Sequence, residues 1–313
     1  MKKVLLLTAA IVVLASCSQN ESELLKNPAN EIRFSNLNDR VTRAANDAGD
    51  DYQVYAKSGV SGETTWFIDD VIDGSTNLAV GGPYYWPASA SVNFFAYAPA
   101  TSGTVTATYG TPAVSITYSV LPTADEDFTV ATPMTGLTKA SGSPAGTVEF
   151  QFEHMLTMIT IDAELASPDL DAYTLDLTSA TAEIIVASNQ GTLDATAATP
   201  AFTAGGSSAT YTGAITKDYM IMPQTSTGTT IQLKGVKITR NGADVFTGDL
   251  LVYPIVSGDI PTNAFVKGTH YTLTFTITDV SSDDNGDPIF GPEIKFTATT
   301  STWIPSGISL IQP

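Results

Sequence analysis

Short segments in which apolar and polar residues alternate run through most of this chain, and no window carries an apolar stripe at helical spacing. In a strand successive side chains point to opposite faces, so a period of two builds sheets with one buried face. Segments 104–109, 114–118, 148–152, 158–162, 231–238 and 271–277 all alternate in this way, and Thr, Val, Ile, Tyr and Phe dominate them. A further strand is expected over residues 92–98, ending at Pro99. Gly, Pro, Asn or Asp separates these segments, as turns require. The nearest approach to a helix is 153–157, enough for one turn between strands. Many short strands with regular turn signals imply an all-β protein built of antiparallel sandwiches.

The first residues have another character. Lys2 and Lys3 precede an apolar run over 4–13, then Leu14-Ala15-Ser16-Cys17. The run is far shorter than the roughly 20 residues that span a bilayer, and its basic start and small-residue end read as a secretory signal. Leu-Ala-Ser-Cys resembles the bacterial lipobox, in which the signal is removed before the Cys and that Cys is acylated. Cys17 is then the lipidation site; the other reading is a plain signal with an incidental Cys. It is the only cysteine, so intrachain disulfides are excluded. Ser18-Gln19-Asn20-Glu21-Ser22-Glu23 is a polar, acidic tether that resembles the export tether of Bacteroidetes surface lipoproteins. An acyl chain would be the only hold on a membrane, stabilising by roughly 0.8 kcal/mol per buried CH₂.

Three of the four arginines, Arg33, Arg40 and Arg43, sit between this leader and the β body. Arg40 and Arg43 lie in a polar stretch that runs into Asn46-Asp47-Ala48-Gly49-Asp50-Asp51, a solvated loop. An Arg-specific protease would find its sites there. Cutting after Arg43, or after Arg40, detaches whatever precedes it, including the alternating Ile32-Arg33-Phe34. Removing a strand leaves an unpaired edge and an uncovered groove. The net charge of −18 argues against nucleic acid as a partner.

Several segments together resemble the fimbrillins of Bacteroides and related anaerobes, the subunits of type V pili. They are Tyr85-Trp86-Pro87 followed by the 92–99 strand, the run from Phe150 to Ile161, Tyr219-Met220-Ile221-Met222-Pro223-Gln224, Lys267-Gly268-Thr269-His270-Tyr271, and Ile294-Lys295-Phe296 through Trp303. The resemblance implies two tandem β-sandwich, transthyretin-like domains and export to the outer membrane and cell surface as a lipoprotein. It implies cleavage by an Arg-specific surface protease, loss of a first strand around Ile32, Phe34 and Leu37, and entry of a neighbour's C-terminal strand into the groove. Here the donor would carry Ile308, Leu310 and Ile311, although that stretch also reads as an ordinary final strand. The expected division is a signal over 1–16, a tether and removable strand over 17–43, sandwiches over 44–145 and 146–305, and a donor tail over 306–313. Partners would be other pilus subunits, with a host or glycan ligand also expected. The alternative is a surface lipoprotein that binds such a ligand through its loops and never polymerises.

The chain carries no pattern for catalysis or for a cofactor. His154 and His270 stand apart, with no second His, no Cys and no paired carboxylate at ligand spacing, and no Gly-Lys pair or His-Glu-x-x-His occurs. Gly205-Gly206-Ser207-Ser208 half resembles a nucleophile elbow but lacks the α/β setting and reads as a loop. Ser281–Asp287, which contains Asn285-Gly286, reads as a hairpin, with a calcium loop the other reading. Trp66, Tyr84, Tyr85 and Trp86 are candidates for core packing or for a sugar-stacking platform.

Overall fold

The computed structural model describes residues 28–36, 51–101, 105–106, 114–122, 126–141, 146–165, 172–250, 252–277, 281–282, 288–289 and 294–302. The only helical turns among them are the 3-10 turns Pro28–Asn30 and Pro261–Asn263, and none of their helices is long and apolar enough to cross a membrane. The rest is strand and loop, an all-β sandwich fold as the alternation requires.

Tyr52–Ser58 and Val92–Ala98 form the middle of an antiparallel seven-stranded sheet. Ile68–Asp73 and Leu78–Ala79 continue it on one side, and Thr129–Ala131 and Phe152–His154 on the other. Both faces of this N-terminal sheet are covered. Tyr52, Val54 and Ala56 join Val92, Phe94, Ala96 and Ala98 in a core with Ile32, Phe34, Trp86, Val148 and Phe150. Tyr55, Phe95 and Tyr97 face the other way, into a larger core that takes in Val114, Ile116, Tyr118 and the C-terminal sheets. A strand with two dry faces need not alternate, which is why 92–98 is nearly all apolar and why its neighbours Tyr52–Ser58 and Thr129–Ala131 are buried at almost every position.

The C-terminal sheet runs Asp218–Ile221, Thr157–Leu165, Thr269–Ile277, Ile294–Thr302. Ala209–Ala214, Thr181–Val186, Thr230–Lys234 and Tyr253–Pro254 make a second sheet, and Ile159, Ile161, Leu273 and Phe275 share the large core with Ile184, Ile231 and Leu233. Another sheet joins Ser115–Ser119 to Gln190–Asp194, so strands distant in sequence meet in one ladder.

Three details differ from the sequence expectation. Segment 148–152 is not one strand: Thr147–Phe150 pairs with Arg33–Asn36, and the chain changes partner at Gln151 so that Phe152–His154 pairs with Thr129–Ala131. Phe150 and Phe152 stay 6.0 Å apart in the same core, so the alternation survives the break and conceals it. Segment 231–238 likewise divides at Gly235, whose φ of 65° lies in the left-handed region, between Thr230–Lys234 and Val236–Arg240. Finally, Arg33–Asn36 with Thr147–Phe150, and Thr157–Leu165 with Thr269–Ile277, run parallel. Turn signals report hairpins between consecutive strands, and neither of these pairs is consecutive.

Burial holds the phenols of Tyr97, Tyr118 and Tyr211 far above the ordinary 10.0, with the Tyr55 neighbour adding to the effect on Tyr97 and Glu126 to that on Tyr118. Each folded-state value is raised, so the associated stability is intact below pH 10.0, the unfolded-state value, and is lost as pH climbs above it. An alkaline titration followed by tyrosinate absorbance should show these three silent until the fold opens, then appearing together with loss of the β circular dichroism signal.

Candidate functional site

The segment over residues 28–36, just ahead of the arginine-rich stretch, is built into the fold from both sides. After the Pro28–Asn30 turn, the Ile32 N–H donates to the Tyr84 carbonyl at 2.8 Å, and the Trp86 N–H donates to the Asn30 carbonyl at 2.9 Å. Glu31 bridges Tyr85 in antiparallel sense. On the other side Arg33–Asn36 runs parallel to Thr147–Phe150, pairing Phe34 with Val148 and Ser35 with Glu149, and the Arg33 N–H reaches the Gly146 carbonyl at 3.3 Å. That carbonyl also accepts from Trp86 Nε1 at 3.0 Å. The φ of Gly146 is 103°, a conformation that favours glycine. Lys139 Nζ donates to Asn30 Oδ1 at 2.7 Å, fastening the far side.

The side chains go in, out, in. Ile32 and Phe34 are each 4% exposed, whereas the Arg33 side chain is 65% exposed and lies 3.7 Å from Glu31. The Phe34 ring stacks on Phe150 with centroids 6.2 Å apart and meets Phe94 edge-on at 6.3 Å. Trp86 closes the trough against Phe94 at 5.7 Å. Seating the two apolar side chains contributes roughly 1.5–3 kcal/mol each, and each main-chain bond about 0.5–1.5 kcal/mol net. Among the described residues, Thr147–Phe150 has no ladder partner other than Arg33–Asn36. Taking the first strand away would therefore leave a strand without a partner above an apolar trough of Phe94, Val148, Phe150 and Trp86.

The other sequence candidates fall elsewhere. Cys17, Leu37, Arg40, Arg43, Ile308, Leu310, Ile311 and loop 283–287 lie outside the described residues. Ser281–Ser282 and Pro288–Ile289, which flank that loop, pair antiparallel. Trp86 is 2% exposed and belongs to the core, Trp66 lies against Tyr55 at 5.3 Å, and Tyr84 meets Phe67 at 6.4 Å. Trp86 thus offers no free face for stacking. Both histidines have partners that spacing did not show. His154 Nδ1 pairs with Asp127 Oδ2 in a buried contact. Thr160 Oγ1 donates to Asp218 Oδ1 at 2.6 Å and sits 2.7 Å from His270 Nε2. A hydroxyl whose proton is directed at a carboxylate is not poised as a nucleophile beside a base. No group of His, Cys, Asp and Glu suited to a metal ion occurs among the described residues.

The profile described as fimbrillin-like matches residues 40–303. The chain belongs to the fimbrillin-like family. Among solved structures, this fimbrillin-like chain is similar to a candidate cell adhesion protein of Bacteroides uniformis, with a TM-score of 0.57, 19% identity, and 88% of this chain and 97% of that one covered. It is also similar to a fimbrial protein of Bacteroides vulgatus, with a TM-score of 0.56, 17% identity, and 88% and 99% covered. A fimbrilin of Porphyromonas gingivalis gives a TM-score of 0.50 at 12% identity, with 88% and 97% covered. At such identities these are likenesses of fold. No curated protein matches the chain.

Proposed function

We propose that this fimbrillin-like protein is a structural subunit of a surface pilus, exported as a lipoprotein through Cys17 and polymerised by donor-strand exchange after proteolysis. Cleavage after Arg43, or after Arg40, cuts the segment containing Ile32 and Phe34 away from the body. A second subunit's tail, carrying Ile308, Leu310 and Ile311, takes the vacated trough by strand addition. Main-chain bonds then supply adhesion, and alternate side chains fill the pockets. The observation that carries this reading is the seating of residues 30–36. A short segment just ahead of the arginine-rich stretch supplies two buried anchors and a ladder that the described residues of the body do not otherwise replace. The fimbrial and adhesion proteins of similar fold support it. Assembly must overcome an association cost of several kcal/mol, so it proceeds only when the trough is open.

The test is a lock. Ser35 and Glu149 stand opposite each other in the parallel ladder, so Ser35→Cys with Glu149→Cys, made with Cys17→Ser, can tie the strand in place. With Arg-specific protease the unlocked protein should give a ladder of species on a gel run without boiling. The oxidised variant should be cut yet remain monomeric until reductant is added. A ladder formed with the lock intact would place the exchange elsewhere. No ladder in either state would favour the lipoprotein that binds a glycan or host ligand through its loops.

A further inference from the structure

We propose that Arg33 is a second, conditional cleavage site for the same protease, and that cutting there makes loss of the first strand irreversible. The inference rests on the donor-strand reading above. The Arg33 guanidinium is open to solvent at 65% exposure, but the bond that follows it is not available. Ile32 and Phe34 on either side are each 4% exposed, the N–H groups of Ile32 and Arg33 are bonded to Tyr84 and Gly146, and the strand is laddered to Thr147–Phe150. A protease must draw several residues around its target into an extended strand of its own. The docked segment can be cut only in the fraction of time it is detached.

Once the strand leaves, that protection goes with it. Water then adds across the Arg33–Phe34 amide, leaving a carboxylate on Arg33 and an ammonium group on Phe34. The cut falls between the two anchors, so one fragment keeps Ile32 and the other keeps Phe34. Each would have to bring a new charged terminus into the middle of an apolar trough, which is costly without a partner. Neither fragment can compete with an incoming tail. Arg240, the one arginine beyond Arg43, belongs to a ladder that stays in the body. It is paired with Tyr173 on one side and Ala243 on the other, its guanidinium lies 5.2 Å from the Tyr173 ring centroid, and a tight turn with φ of 52° at Asn241 and 82° at Gly242 follows it. Of the two laddered arginines, only Arg33 sits on a strand that is meant to leave.

The locked protein separates the steps. The oxidised Ser35→Cys, Glu149→Cys, Cys17→Ser precursor is digested with Arg-specific protease, and the new terminus at Phe34 is followed by mass spectrometry. It should appear roughly 100-fold more slowly than in the reduced protein held in mild urea, which frees the strand. Equal rates would overturn the proposal. A peptide of residues 28–36, either unchanged or carrying Arg33→Lys, is then added to processed subunits. With the protease inhibited, both peptides should suppress the ladder; with it active, only the Arg33→Lys peptide should. Suppression by both under active protease would also overturn it. If the cleavage contrast holds but no sample ever forms a ladder, the conditional bond stands and the pilus reading falls.

Discussion

A precursor carrying Phe34→Ala should lose about 3–5 kcal/mol of stability around the N-terminal sheet, and the same substitution should have no effect on the body once the cleaved strand has left. The first half follows from packing. Phe34 is 4% exposed, stacked on Phe150 and edge-on to Phe94, and its loss leaves a cavity walled by aromatic rings that cannot collapse far. The second half follows from connectivity, because a body that begins after Arg43 contains no residue 34. Urea unfolding followed by tryptophan fluorescence should give a lower midpoint for the variant precursor and coincident curves for the two processed forms once the cut segment has been removed. Ile32→Val, which removes one methyl group, should cost only about 0.5–1.5 kcal/mol. The weaker strand should also leave sooner, so the ladder should form faster after cleavage. Equal midpoints for wild-type and Phe34→Ala precursors would mean that the strand does not stabilise the body, and the exchange model would lose its switch.

The fold was legible wherever a single strand reported its own faces. Ile32-Arg33-Phe34 reads in, out, in, and the structure buries the first and third. What could not be read was the partner. Nothing local to residues 32–36 says that they lie parallel to Thr147–Phe150, because a parallel neighbour is reached by a long connection and leaves no turn signature. The change of partner at Gln151 was hidden because alternation continues across it, whereas at Gly235 the phase slips by one residue, from Leu233 to Val236, where the backbone takes its positive φ. Asp127, the partner of His154, sits in another strand's approach, and no spacing rule connects the two. In the aromatic group the sequence supplied the residues but not their direction, and Trp86 turned inward. Arg33 shows the same division. Its place in an alternating strand was readable, but the inaccessibility of its peptide bond depends on Tyr84 and Gly146, which only the fold brings to it.

The buried pair of His154 and Asp127 leads to the other large expected effect, one independent of assembly. Asp127 has 3% of its side chain exposed and His154 has 10%. Asp127 Oδ1 has no hydrogen-bond partner among the described residues, so the His154 contact at Oδ2 is what offsets its burial. His154→Ala removes that contact and leaves the carboxyl group behind, which should cost about 3–5 kcal/mol. Asp127→Ala with His154→Ala should be less damaging than the sum of the two single changes, since no orphaned polar group remains. The strain would be felt beyond the pair. Met155, next in the chain, donates its N–H to the Phe128 carbonyl at 2.9 Å, and the Phe128 ring stacks at 4.3 Å on Tyr118, which belongs to the strand paired with Gln190–Asp194. The pair thus sits where the N-terminal sheet meets the sheet shared with later residues, and its loss should loosen that junction before either core. Hydrogen exchange at residues 115–119 and 152–154 should rise in His154→Ala ahead of exchange at 92–98. A double-mutant cycle in urea that proved additive would show that the two side chains do not depend on each other.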